Sequence, residues 1–170
     1  MSKPIITAEQ WFKRNNRLTR AWTSTLEQAY GDTGAKGKQG EDWLYDQFVK
    51  KDFSVIGHDE SKEHQMKGID LTVTSNSTKQ TWTIDVKSNI KDDGTFFVET
   101  DNKGWLMNSY KTSTYIWHVS PKTGWMAWYY RKDMKKHIES IDQPRKLISF
   151  NVNTVSIQLP FVKTKRETAL

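Results

Sequence analysis

The sequence predicts a single α/β domain: a mixed, mostly antiparallel central sheet flanked by helices, with a helical extension at the N-terminus. Three observations carry this. The 170 residues, 35% of them hydrophobic, supply one core but not comfortably two. Runs of apolar–polar alternation bounded by turn residues recur from Gly68 onward, the mark of half-buried strands. Two stretches with helical spacing, EDWLYDQFVKKD and RKDMKKHIESI, bracket those runs. The chain is therefore expected to divide into a basic helical arm over 1–31, a core over 32–160 and a basic tail over 161–170.

Thr7 to Gln10 and Ser24 to Glu27 each fit a capping box, and Gly31 can close the second helix. Lys13, Arg14, Arg17 and Arg20 make that arm basic. GDTGAKGKQG, Gly31 to Gly40, is not a nucleotide-binding loop: five residues rather than four separate Gly31 from Gly37, and Gln39 stands where Ser or Thr must follow the lysine. It is expected instead as a flexible basic lead into the helix that starts at Glu41, where Trp43, Leu44, Tyr45, Phe48 and Val49 form an apolar stripe. A hairpin, GIDLTVTSNSTKQTWTIDVKS, comes next, then a third strand in GTFFVET, a turn at DNKG and a helix from Trp105 to Lys111. TYIWHVS and GWMAWYY read as strands joined by the turn PKTG, and the last helix puts Met134, Ile138 and Ile141 on one face. KLISFNV and VSIQLP read as terminal strands, and KTKRETAL as a frayed tail.

Cysteine is absent, which excludes disulfide frameworks, thiolate metal centres and cysteine nucleophiles. Any metal must sit on oxygen or imidazole. Twenty-six Lys and Arg against 20 Asp and Glu give a net charge of +6, a balance that suits a polyanion such as nucleic acid. No apolar run approaches the length of a membrane span, so a soluble, intracellular, cytoplasmic protein with no membrane partner is expected.

The hairpin can be registered by counting. With the turn centred between Ser77 and Thr78, Val73 faces Trp82, Leu71 faces Ile84 and Ile69 faces Val86, so apolar meets apolar along one face. The same register sets Asp70 opposite Asp85 on the other face, with Lys87 two residues further along that face. Like charges directly opposed destabilise a sheet unless a cation lies between them. Two arrangements satisfy this: Lys87 pairs with both carboxylates, or a hard divalent ion sits on their oxygens.

This pattern resembles the PD-(D/E)XK nuclease superfamily. Its signature is an acid at the start of one strand, an acid-x-lysine triplet on the next, and often a glutamate on the preceding helix. The matching residues are Asp70 in KGID, Asp85-Val86-Lys87 in IDVKS, and Glu41 in GKQGEDWLYDQF. Gly68-Ile69 replaces the proline that commonly precedes the first acid, and Asp85 replaces the commoner glutamate. The resemblance covers roughly Gly37 to Tyr130 and implies a restriction-endonuclease-like core. It further implies Mg²⁺ or Mn²⁺ held by Asp70, Asp85, the main-chain carbonyl of Val86 and Glu41, with Lys87 orienting the attacking water. The activity implied is hydrolysis of DNA phosphodiesters, structure-selective or weakly sequence-selective because no separate DNA-reading domain is evident; a homodimer would explain how both strands are cut. A non-catalytic nucleic-acid-binding protein and a nuclease acting on RNA are the alternatives.

Other residues are candidates for nucleic-acid contact: Lys36 and Lys38 before the first core helix, and Trp105 between Lys103 and Lys111, where a ring beside cations could stack on an unpaired base. Arg131, Lys132, Lys135 and Lys136 read as a solvated helix face first and a phosphate-tracking patch second. His58, His64, His118 and His137 lack metal-ligand spacing and are expected to be structural. Glu99 joins the carboxylates only if the third strand lies beside Asp85.

Overall fold

A computed structural model describes residues 36–142 and 145–167. The expected arm over 1–31 lies outside the described residues. The described chain opens with helix α1 over 36–50, followed by β1 (Phe53–Gly57), α2 (Lys62–Met66), β2 (Leu71–Ser75) and β3 (Thr81–Lys87). After β4 (Thr95–Glu99), β5 (Tyr115–Val119) and β6 (Trp125–Tyr130) come α3 (Arg131–Ser140), β7 (Leu147–Asn151), α4 (Val155–Gln158) and β8 (Lys163–Arg166).

Six strands form one sheet in the order β1-β2-β3-β5-β6-β8, and β4 pairs with β7 in a separate ribbon. Among the described residues only β3 and β5 run parallel. The mixed, mostly antiparallel α/β architecture thus matches the sequence expectation. So does the hairpin register: Leu71 faces Ile84 and Val73 faces Trp82.

Period-two alternation sorts the strand residues onto two faces. Val86 lies beside Trp117, which stacks on Trp128 at 4.3 Å between ring centroids. With Ile84, Leu71 and Val73 these side chains pack under the apolar stripe of α1, where Trp43, Leu44, Tyr45 and Phe48 are buried. The opposite face carries Asp85 beside Ile116 and Lys87 beside His118, and continues through Ala127 and Tyr129. The ribbon β4–β7 and α3 cover it, burying Phe96, Val98, Met134 and Ile138. Asp85 therefore belongs to the less accessible face, at the margin of a second core.

Several expectations are corrected. The lead into the first core helix is itself helical from residue 36. Gly40 is accommodated there because the helix presses directly on the end of β3: an added Cβ would lie 1.6 Å from Ser88 Oγ. Residues 105–111 form turns rather than a helix; the main-chain carbonyls of Trp105 and Leu106 accept from the Arg131 guanidinium instead of from a following turn. VSIQLP contains α4 rather than a strand, since Val155, Leu159 and Val162 bury together at helical spacing. KTKR is not a frayed tail but β8, paired to β6. The strand β1 and helix α2 are additional elements.

Candidate active site

Asp70 stands one residue before β2, at the open end of the hairpin. Gly68, with φ at +67°, turns the chain out of α2, a conformation that a side chain makes costly. The amide of Asp70 donates to the Ile84 carbonyl at 2.8 Å, and its Oδ2 accepts from the Val86 amide at 2.7 Å. Asp85 is 2% exposed. Its Oδ1 lies 3.2 Å from Lys87 Nζ and its Oδ2 3.4 Å from Arg131 Nη2. Lys87 thus pairs with Asp85, not with both acids. Its ammonium also sits over the Trp105 ring, 5.1 Å from the centroid, a cation–π contact that restrains the side chain.

Glu41 completes the cluster from α1. The close approach at Gly40 brings the next residue to the end of the hairpin, where the Glu41 carboxyl lines the same cleft as Asp70, which feels its charge. Burial, opposed by Lys38 and reinforced by Asp42 and Asp59, pushes Glu41 up to about 7. Burial and then the charges of Glu41 and Asp85 hold Asp70 well above the usual carboxylate range, against the Val86 amide and Lys87. The physical cause is burial first, which disfavours the charged form of each acid, and then the neighbouring negative charge, which adds to it. Lys38 closes the other side, its Nζ 3.2 Å from both Asp42 Oδ1 and Asp59 Oδ2 and 4.0 Å from Glu41 Oε2. A cleft of about 270 Å³ opens beside Glu41, Asp70, His58 and Gln65.

Arg131 is the residue that sequence reasoning placed on a solvated face. It is 6% exposed. Its guanidinium donates to Ser113 Oγ at 2.7 Å, to the Ser113 carbonyl at 3.1 Å and to the carbonyls of Trp105 and Leu106, besides facing Asp85. It fastens Asp85 to the segment that carries Trp105. The signal was not in its own helix: only the adjacency of β3, β5 and β6 brings the start of α3 behind Asp85.

His58 is buried, hydrogen-bonded to Thr72 Oγ1 at 2.7 Å, and its ring stacks on His64 at 3.7 Å. Its amide donates to the Asp70 carbonyl at 3.0 Å, so this histidine supports the strand end. His118 is a core residue, bonded to Asn89 Oδ1 at 2.6 Å and to the Tyr129 hydroxyl at 2.7 Å. The remaining candidates are dispersed. Lys36 lines a separate cleft with Lys91 and Lys122, and Lys103 is exposed near Glu99. Glu99 faces Leu147 on the β4–β7 ribbon, away from Asp85. Lys111 borders the carboxylates: a Cβ on Gly68 would lie 3.0 Å from its Cδ and 3.4 Å from Asp85 Oδ2.

Among the described residues, no three His, Cys, Asp or Glu side chains are already disposed about one ligation point. The chemistry of the donor set nevertheless suits a hard cation: every donor is oxygen, and the carboxyls, raised by burial and by neighbouring negative charge, would gain a counter-charge from such an ion. No protein-family model, curated protein or solved structure matches this chain.

Proposed function

We propose that the chain is a divalent-metal-dependent deoxyribonuclease of the PD-(D/E)XK type. The observation that carries this is the grouping of acids and a lysine at the end of the hairpin: Asp70 Oδ2 on the Val86 amide at 2.7 Å, Asp85 Oδ1 3.2 Å from Lys87 Nζ, and Glu41 lining the same cleft as Asp70. Asp70, Asp85, the Val86 carbonyl and Glu41 would hold Mg²⁺ or Mn²⁺. Bound there, the ion neutralises charge on the phosphate and makes a water more acidic.

The chain's own residues do the rest. Glu41 and Asp70, both raised, would have to release any proton they hold in order to ligate a cation. Asp85 is held on Oδ2 by Arg131, so Oδ1 is the oxygen that can turn from Lys87 to a cation. Lys87, released from that pairing and steadied by Trp105, donates to the attacking water or to the phosphate oxygens as negative charge builds. Water oxygen bonds to phosphorus, the bond to one nucleoside oxygen breaks, and the products are a phosphate monoester end and a hydroxyl end. The net charge of +6 favours a polyanionic substrate.

The test is digestion of end-labelled plasmid, linear duplex, single-stranded and branched DNA, with RNA in parallel, in Mg²⁺ or EDTA. Cleavage of DNA that needs Mg²⁺ and disappears in Asp70→Ala, with binding retained, supports the proposal. Equal activity in the variant, or binding without any cleavage, overturns it.

A further inference from the structure

Among the described residues, Tyr110 and Met66 are large apolar side chains left exposed, at 78% and 72%, each next to a segment that borders the carboxylates. They are not loose. Tyr110 has its amide bonded to Asn108 Oδ1 at 3.0 Å, and the next amide, of Lys111, donates to the Asn108 carbonyl at 3.0 Å. Met66 ends α2, which is capped by Ser61. The two segments are tied together: the Thr112 amide donates to the Lys67 carbonyl at 2.8 Å, and Lys111 Nζ approaches the Gln65 carbonyl at 3.5 Å. An exposed ring and an exposed thioether are thus presented on fixed backbone, each one residue from a lysine.

Their position relative to the carboxylates follows from Gly68, whose absent Cβ would touch Lys111 on one side and Asp85 on the other. Lys67 pairs with Glu63 at 3.1 Å, and Lys111 lies between this rim and Asp85. Trp105 cannot supply the same surface, because its ring already holds Lys87 on one side and meets the edge of His118 at 5.6 Å.

We propose that Tyr110, on a segment tied to the end of the helix that carries Met66, is a stacking platform for an unpaired base of a DNA strand whose phosphate meets Lys111. The face of a base is open only where it has left the duplex stack, so a platform at this rim selects DNA with gaps, flaps, branches or single strands. The inference deepens the nuclease proposal by naming its substrate class, and rests on that proposal for where the cut falls.

The test is binding of the full chain in EDTA to an intact duplex, a single strand and a gapped duplex carrying 2-aminopurine in the gap. Because Tyr110 is largely in solvent, Tyr110→Ala should keep the wild-type melting temperature. It should weaken single-strand and gap binding by roughly 5- to 100-fold, as expected for one lost base–aromatic stack, and lose the fluorescence quench. Duplex binding should change by less than about 2-fold, and Tyr110→Phe should behave as wild type, because the ring rather than the hydroxyl stacks. Wild-type affinity and quench in Tyr110→Ala, or equal losses on gapped and intact duplex, overturn the proposal. These binding results need no cleavage, so a protein that never cuts DNA refutes the nuclease proposal while this assay still decides the platform.

Discussion

Raising the pH should weaken the metal-free fold specifically through Glu41, and the size of the effect can be worked from its surroundings. Burial raises this carboxyl from 4.5 to about 7, so the native state holds a proton that the unfolded chain has released. For an acid raised in this way, the stabilisation is complete below the unfolded value and is lost as pH climbs through the folded one. At about 1.4 kcal/mol per pH unit, the gap between 4.5 and about 7 corresponds to about 3 kcal/mol, or roughly 6–12 °C in melting temperature for a chain of this size. The wild-type profile alone conceals this. His118, fully buried, is lowered from 6.5 to about 3 and so costs stability as pH falls below 6.5, the opposite sign over much of the same range. The informative comparison is therefore wild type against Glu41→Gln, melted in EDTA at about pH 5 and about pH 8. Near the acid end the neutral carboxyl and the amide are equivalent and the two proteins should melt together. Near the alkaline end the variant should melt higher by most of those degrees, and Mg²⁺ should raise the wild type and not the variant. Parallel profiles, with no divergence as pH rises, would refute the idea that burial keeps Glu41 protonated near neutral pH.

Further outcomes follow from the same geometry. Gly40→Ala puts a methyl against Ser88 and Val119; overpacking of about 1–3 kcal/mol, offset by about 1 kcal/mol of helix propensity, should lower the melting temperature by a few degrees. It should cut DNA cleavage far more by displacing Glu41, and Ser88→Gly in the same chain should recover much of that loss. Arg131→Met leaves Asp85 Oδ2 and a set of buried carbonyls without their donor, and denaturant titration should show a loss of about 3–5 kcal/mol. Lys87→Met removes a side chain that is still partly in solvent, so stability should change little while the rate of cleavage in single-turnover assays falls roughly 10²–10³-fold.

The hairpin was legible in the sequence because its alternation and turn are local, and pairing apolar residues alone gives the observed register from Thr74 to Leu71; the ladder stops there, and Asp70 instead bonds the Ile84 carbonyl and the Val86 amide. The parallel pairing of β3 with β5 was not legible. It joins strands separated by the whole segment from Ser88 to Thr114, and no local period encodes such a contact. With it went the role of Arg131, whose partners are the carbonyls of a loop and a buried acid on another strand. A cation at the head of a basic helix looks solvated until the strand before it is placed. Similarly, Trp105 and Tyr110 are equivalent as letters beside lysines; only the packing of β4, β5 and α3 decides that one ring goes to the core margin and the other to solvent. VSIQLP failed as a strand because its apolar residues fit two periods over so short a span, and contact with the second core chose the helical one.

The claim on which the rest depends is that Asp70 and Asp85 ligate one divalent ion. A crystal of the full chain soaked in Mn²⁺ and recorded at the manganese absorption edge tests it directly. An anomalous peak within about 2.0–2.3 Å of an oxygen from each aspartate, with Lys87 swung off Asp85, is the expected result. Strong Mn²⁺ density elsewhere, or none between the two acids while Lys87 stays on Asp85 Oδ1, would contradict it.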